Sequence, residues 1–152
     1  MAETLGDIKD LVPHEGPMVL LDGVISVDDA AMTCALAVRD DSLFMEAEGV
    51  PALVGIEYMA QAIAAHAGWR ARRDGDSVKP GFLLGTPRFT AHKPYFERGG
   101  DFRVDVAKDW GDDEMMRFDC QITHAQTGET YVAAGLNVFQ PKNLNAYLAG
   151  GH

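Results

Sequence analysis

The sequence has few cysteines, few basic residues and no recognisable signal peptide. Its 152 residues include two cysteines, too few for a disulfide framework. There are 13 basic and 23 acidic residues, a formal charge of −10, and this disfavours nucleic acid as a partner because such binders need a basic field. The first ten residues lack the apolar core of a signal peptide. We therefore expect a cytoplasmic protein with a single domain, residues 1–152.

The sequence also predicts neither a membrane span nor a metal site. One stretch, residues 50–73, has the length and apolar content to be compared with a membrane helix, but Glu57 and Gln61 argue against that. The five histidines form no metal-ligand spacing with each other or with cysteine. Cys34 and Cys120 fall among apolar residues at strand spacing, which predicts reduced core residues. We expect no metal and no cofactor.

The feature that organises the chain is one long helix, predicted for residues 51–73. Pro51 suits the first turn of a helix, and no further proline follows until Pro80. Apolar residues go most of the way round this helix, which indicates burial on most sides. These residues are Leu53, Val54, Ile56, Met59, Ile63, Ala64 and Trp69. We therefore expect the helix to be held inside a sheet.

Glu57 is the one residue of fixed charge between residues 50 and 69, and Gln61 follows one turn later on the same face. A carboxylate is costly to bury unless it is paired or faces a cavity. Two interpretations remain open. Glu57 either lies at a water-filled helix end or subunit interface, or acts as a general acid or base that lines an acyl pocket.

Six further segments are predicted to be strands. Residues 17–27 are apolar on both faces and residues 32–38 alternate, so these two segments are expected to pair as a hairpin. After an irregular stretch, 39–49, and the helix, four more strands are predicted, separated by turns that contain glycine. Their ranges are 81–92, 101–110, 115–124 and 130–139. In the second of the four, we expect an inward face made of Phe102, Val104, Val106 and Trp110.

Two strands, one buried helix and four antiparallel strands, in this order, predict an α+β hot-dog fold. In this fold an antiparallel sheet wraps around one long buried helix. Residues 1–16 are a lead-in and residues 141–152 a tail. A sheet of this kind leaves an edge strand unpaired, so we expect a homodimer, with Glu57 near the surface where two units meet.

Three segments resemble the 3-hydroxyacyl-[acyl-carrier-protein] dehydratases of fatty-acid synthesis. Residues 51–61, P-A-L-V-G-I-E-Y-M-A-Q, are similar to that family's P-G-V-L-x-x-E-A-x-A-Q helix, and residues 11–22 to its L-P-H-R-x-P-x-L-L-x-D segment. Residues 84–89, L-G-T-P-R-F, are similar to its strand after the helix. A tryptophan late in the helix, in His66-Ala67-Gly68-Trp69, is similar to the dehydratase-related proteins of aryl-polyene gene clusters.

The resemblance implies elimination of water from a 3-hydroxyacyl thioester, carried by acyl carrier protein or coenzyme A. Glu57 falls on the family's catalytic acid, and Gln61 on the glutamine that follows it. The backbone N–H that meets the thioester carbonyl would belong to Ala52 or its neighbour, since helix N-termini stabilise a developing oxyanion. Gly85 lies on the strand that is expected to run beside the acyl chain.

The sequence departs from the family where the catalytic histidine is expected. The family carries it in an H-F-P-G loop before the helix, but residues 42–50 here contain no histidine. The partner of Glu57 would then be His14, or a histidine from a second hot-dog subunit in a heterodimer. His14 has a structural alternative, tying the lead-in to the body. A hot-dog thioesterase and a non-catalytic acyl-binding subunit of a heteromeric dehydratase are the alternative functions.

Three arginines, Arg70, Arg72 and Arg73, lie at the C-terminal end of the predicted helix, and Lys79 is close in sequence. Basic residues at this position complement the helix macrodipole, which is the structural interpretation. The functional interpretation is a docking patch for an acidic partner such as a carrier protein.

Overall fold

The computed structural model describes residues 11, 19–76, 81–112 and 114–141. These residues form eight β-strands and one α-helix. Their bounds are Gly23–Val27 (β1), Ala31–Ala37 (β2), Val50–Pro51 (β3), Gly55–Arg73 (α1), Phe82–Ala91 (β4), Tyr95–Phe96 (β5), Asp101–Gly111 (β6), Met115–His124 (β7) and Thr130–Phe139 (β8).

Six of the strands form one antiparallel sheet in the order β1-β2-β6-β7-β8-β4. The strands β6, β7 and β8 follow one another as hairpins, whereas β4 comes directly after the helix in sequence and pairs with β8. In the described part of the chain, β4 and β1 are therefore the two edge strands. The short strands β3 and β5 form a separate pair beside the start of the helix.

Several predicted strands are confirmed. The strands β7 and β8 have the predicted bounds, and β6 extends one residue beyond its predicted end. The predicted hairpin is β1 with β2, but β1 begins at Gly23, and the described residues before it, 19–22, are not strand although the predicted strand spans 17–27. The stretch 39–49 contains only a bridge between Glu46 and Gly49. The pair of β3 and β5 was not predicted, because strands of two residues have no measurable alternation. Most of the lead-in and of the tail lies outside the described residues.

The α-helix begins later than the sequence predicts. Pro51 is extended, with φ −56° and ψ 141°, and a 3₁₀ turn over Ala52–Val54 precedes α1. The N–H of Ala52 donates to the carbonyl of Pro94 at 2.9 Å, which ties this part of the chain to the segment that contains β5. Tertiary pairing therefore delays the helix by one turn.

The core lies between α1 and the inner face of the sheet. Alternate residues of the central strands are buried there, as the period of two requires. From β6, β7 and β8 these are Phe102, Val104, Val106, Met116, Phe118, Cys120, Ile122, Val132, Ala134, Leu136 and Val138. Cys34 and Cys120 are buried and unpaired, and burial raises the pKa of each thiol to about 12.

The predicted burial of the helix on most sides is confirmed, although Leu53 before it is 67% exposed and Ile56, Glu57 and Ala60 are partly exposed. One burial prediction is wrong. Trp110 does not face the core and is 53% exposed. The β6–β7 register shifts between Lys108 and Trp110, so the alternation that buries the earlier part of β6 does not continue to Trp110.

Candidate active site

Glu57 and Gln61 form a contact on one face of α1, as their spacing predicts. Glu57 is in the first turn of the helix and partly exposed, whereas Gln61 is fully buried. The Gln61 Nε2 donates to Glu57 Oε1 at 3.4 Å, and Gln61 Oε1 accepts the N–H of Leu20 at 2.9 Å. The Leu20 N–H identifies the oxygen of the Gln61 amide, so its NH₂ group is directed at the carboxylate.

Glu57 lies at the N-terminal end of the helix, where the macrodipole is positive. It is the one acidic residue in the first turn of α1. Its partial exposure keeps the carboxylate in reach of a molecule outside the chain. A carboxylate held in this way is suited to accept a proton from a bound substrate.

The Ala52 N–H does not fit the role that the resemblance gave it. It already donates to the Pro94 carbonyl at 2.9 Å, so it is not directed at a substrate oxygen. The alternative donor to the thioester carbonyl is the N–H of the residue next to Ala52. That neighbour, Leu53, belongs to the same 3₁₀ turn, and its side chain is 67% exposed.

The start of the helix is packed tightly on its other side. A Cβ atom on Gly55 would lie 3.3 Å from Ile122 and 3.4 Å from Phe96. Tyr58 is buried and packs edge-on against Phe96, with 5.6 Å between ring centroids. Burial is the main cause that raises the Tyr58 pKa to about 12, so its hydroxyl is neutral. Glu57 is therefore attached to a rigid turn.

The other predicted site residues are not brought to Glu57 by any described contact. Gly85 lies on the edge strand β4 opposite Asn137, and a Cβ atom there would meet nothing within 4 Å. His14 lies outside the described residues.

Sequence reasoning missed two residues that support the site. The backbone N–H of Leu20 holds the side chain of Gln61, 41 residues away, and no sequence pattern predicts such a hydrogen bond. Asp22 accepts the N–H of Ala37 at 2.7 Å and pairs with Arg39 at 2.5 Å. Asp22 belongs to the segment that resembles the family's L-L-x-D, which was the available signal. It ties the residues before β1 to the loop that leads to the helix.

The C-terminal end of α1 is occupied by contacts within the chain. Arg73 forms ion pairs with Asp29 and Asp74, and its guanidinium lies 5.0 Å from the centroid of the Trp69 ring. Its charge is therefore largely compensated, which suits the structural interpretation of the arginine group. Docking of an acidic partner stays a prediction for Arg70 and Arg72.

The described residues offer neither a metal site nor a membrane helix. They contain no group of three or more His, Cys, Asp or Glu side chains arranged to hold a metal ion. In the same residues, no helix is both long and apolar enough to cross a membrane.

The chain is similar over nearly its whole length to a chain of a solved assembly, the dehydratase heterocomplex ApeI:P from Xenorhabdus doucetiae. The similarity covers 97% of this chain and 98% of that one, at 29% sequence identity and a TM-score of 0.87. This match confirms the predicted hot-dog architecture and the predicted resemblance to dehydratases.

More distant structures share the fold alone. The Escherichia coli PaaI protein from the phenylacetic acid degradation operon is 11% identical, with a TM-score of 0.61 over 76% of this chain and 80% of that one. A hypothetical thioesterase from Streptococcus pneumoniae TIGR4, solved with coenzyme A, is 13% identical, with a TM-score of 0.61 over 78% and 84%. No curated protein sequence matches significantly.

The family comparison decides between the dehydratase and the thioesterase interpretations. The model of the ApeP-like family, described as ApeP dehydratase, matches residues 6–149. The predicted dehydratase-related branch is thereby confirmed, whereas the thioesterases are similar only in fold. This chain belongs to the ApeP-like family of dehydratases.

Proposed function

We propose that this chain is a subunit of a dehydratase that removes water from 3-hydroxyacyl thioesters during the synthesis of polyene or fatty acyl chains. The thioester is carried by acyl carrier protein or by coenzyme A. The observation that carries the proposal is the Glu57–Gln61 contact at the start of α1, with Glu57 partly exposed. Membership in a dehydratase family supports the reaction class.

In the proposed reaction, Glu57 takes the proton from C2 of the acyl chain. The electrons of that C–H bond form the C2–C3 double bond, the C3–O bond breaks, and the hydroxyl leaves as water after a second group gives it a proton. Gln61 is a positioning residue that holds the carboxylate. The N–H of Leu53, in the turn before α1, stabilises the negative charge on the thioester oxygen.

The second group, which protonates the leaving hydroxyl, is a histidine in this proposal. His14 is the candidate within the chain, because it lies in the segment that resembles the family's L-P-H-R-x-P-x-L-L-x-D. A histidine from a second hot-dog subunit is the alternative. Gly85 stays in the proposal as a residue beside the acyl chain, on a strand with open space around it.

We further propose that a second hot-dog subunit covers β4. This strand ends the sheet in the described part of the chain, and a strand edge offers unpaired backbone groups to another chain. Leu83 and Leu84 on β4 are 43% and 56% exposed, which leaves apolar surface for a partner to bury. The relative from Xenorhabdus doucetiae is a heterocomplex, which supports a heteromer over a homodimer.

The experiment that tests this proposal follows both possible products of one substrate. The purified chain is incubated with 3-hydroxyacyl thioesters on carrier protein and on coenzyme A, alone and with the ApeI-type subunit of its own organism. Mass spectrometry then detects loss of water from the thioester and release of the free acid.

Each outcome assigns the second group or rejects the proposal. Loss of water with the chain alone identifies His14 as the next residue to replace. Loss of water that requires the partner assigns the histidine to that subunit. Free acid without loss of water would reject the dehydratase in favour of a thioesterase. Loss of water that the partner subunit catalyses equally well without this chain would leave this chain without a catalytic role.

A further inference from the structure

The loop between β2 and β3 holds an aromatic side chain in solvent on strained backbone. Phe44 has a φ of 68°, and among the described residues no other non-glycine has a positive φ. A bulky side chain rarely adopts this left-handed conformation. The Phe44 side chain is nevertheless 49% exposed, and Leu43 beside it is 37% exposed. Burial within the chain therefore does not offset the strain.

Hydrogen bonds fix the conformation of this loop and thereby the position of Phe44. The N–H of Ser42 donates to the Arg39 carbonyl at 3.0 Å, and Glu46 and Gly49 exchange two backbone hydrogen bonds of 2.9 and 3.2 Å. Arg98 donates to the Glu46 carbonyl at 2.9 Å. Strained residues persist where the surroundings determine them, and such residues cluster at functional sites.

The negative charge around Phe44 restricts which surfaces can bind this loop. Asp40, Asp41, Glu46 and Glu48 are exposed in the same loop, and its one basic residue, Arg39, is paired with Asp22. An anionic membrane surface or an acidic protein would be repelled by this loop. The surface that fits it has an apolar recess for the aromatic ring and basic residues at the rim.

We propose that Phe44, with Leu43, is the anchor by which this chain docks onto a second hot-dog subunit that offers such a recess. A preorganised aromatic side chain is typical of residues that carry most of the binding energy of an interface. The inference rests on the heteromeric dehydratase proposed above, and it names the residue on which the assembly depends. The acyl carrier is not the occupant, because the loop is acidic.

The test uses one substitution that should stabilise the chain alone and weaken its binding to the partner. Asparagine tolerates the left-handed region, so Phe44→Asn relieves the strain and removes the anchor. We expect the melting temperature of the chain alone to rise by about 2–4 °C. We expect its affinity for the ApeI-type subunit of its own organism, measured by calorimetry, to fall at least about tenfold. Affinity of the wild-type chain should also weaken as salt is raised.

Two matched variants separate the causes. Phe44→Ala removes the anchor but keeps a side chain for which φ 68° is unfavourable, so affinity falls without a rise in melting temperature. Trp110→Thr removes another half-exposed aromatic residue, from β6, and leaves affinity unchanged.

The results that would overturn the proposal are specific. If Phe44→Asn binds the partner as tightly as the wild-type chain in a complex that eliminates water, the anchor is wrong and the proposed function stands. If the substitution affects only association of the chain with itself, the occupant is a second copy and the proposal fails. A wild-type chain that neither binds the partner nor takes part in elimination of water would overturn the proposed function and the anchor together.

Discussion

The two ends of α1 lie in different surroundings. At the N-terminal end, Leu53 is 67% exposed and the carboxylate of Glu57 is partly exposed above a fully buried Gln61. At the C-terminal end, His66 is fully buried and Gly68 lies against the backbone of Leu11. The same helix is therefore open to other molecules where it carries its carboxylate and closed around His66 and Gly68, where it is attached to the body.

The attachment at the closed end explains how the open end stays in place. His66 Nε2 donates to the Asp28 carbonyl at 2.8 Å, and Arg73 pairs with Asp29 in the same turn between β1 and β2. Trp69 stacks on the His66 ring with 6.3 Å between centroids. Because the second half of the helix is fixed in this way, the first turn can expose a charged residue without loss of position. Changes at the open end should affect chemistry, and changes at the closed end should affect stability.

The largest expected effect is on turnover, from Glu57→Gln. The amide cannot accept the C2 proton, so the rate of water loss should fall by about 10²- to 10⁴-fold in the active assembly. The melting temperature should change little, because the side chain is partly exposed and glutamine has nearly the same shape. Activity by mass spectrometry and unfolding by circular dichroism check the two parts. Unfolding of the variant would instead assign Glu57 a structural role.

The next effect is on stability, from Gly68→Ala. A Cβ atom at this position would lie 2.2 Å from the Leu11 carbonyl oxygen, so backbone has to move. We expect a loss of about 1–3 kcal/mol in the free energy of unfolding, which exceeds the helix propensity gained by alanine.

The matched control for Gly68 is Gly85→Ala on β4, where a Cβ atom meets nothing within 4 Å. Denaturant unfolding should show little change for this variant. Equal losses at the two glycines would contradict the comparison between a closed and an open region.

A smaller effect depends on pH and comes from His66. Burial lowers the pKa of His66 from its usual 6.5, more than the hydrogen bond to Asp28 raises it. Below pH 6.5, His66 is protonated in the unfolded chain, whereas in the folded chain it stays neutral down to its lowered pKa. In this range the free energy of unfolding decreases as the pH decreases, by up to about 1.4 kcal/mol per pH unit. His66→Gln should flatten this dependence below pH 6.5, measured by denaturant unfolding. The same slope in both proteins would show that His66 does not titrate there.

The smallest effect is expected from Arg73→Ala. The ion pairs of Arg73 are exposed to solvent, so their loss should lower the melting temperature only slightly, and less at high salt. Activity should not change, because Arg73 lies about 24 Å along α1 from Glu57. Arg72→Ala is the control, as the next exposed arginine of the same turn. A large loss of activity in either variant would instead support a carrier-protein contact at this end.

Much of the fold followed from local patterns. The bounds of β7 and β8 were predicted because alternating apolar residues stop at turns that contain glycine, such as Thr127-Gly128. The contact between Glu57 and Gln61 was predicted because residues four apart share a helix face. The start of α1 was misplaced by four residues, since the bond from Ala52 to Pro94 joins distant parts of the chain.

By itself the sequence determined the type of each long element, the order of strands around one helix, and the single carboxylate within it. These properties depend on periodicity and turn chemistry, which are local. Only the tertiary structure decided that β4 lies at the sheet edge and that Leu20 holds Gln61 from 41 residues away. It alone put Phe44 in a left-handed conformation, because that φ is imposed by packing and hydrogen bonds of the whole loop and is opposed by the residue's own preference.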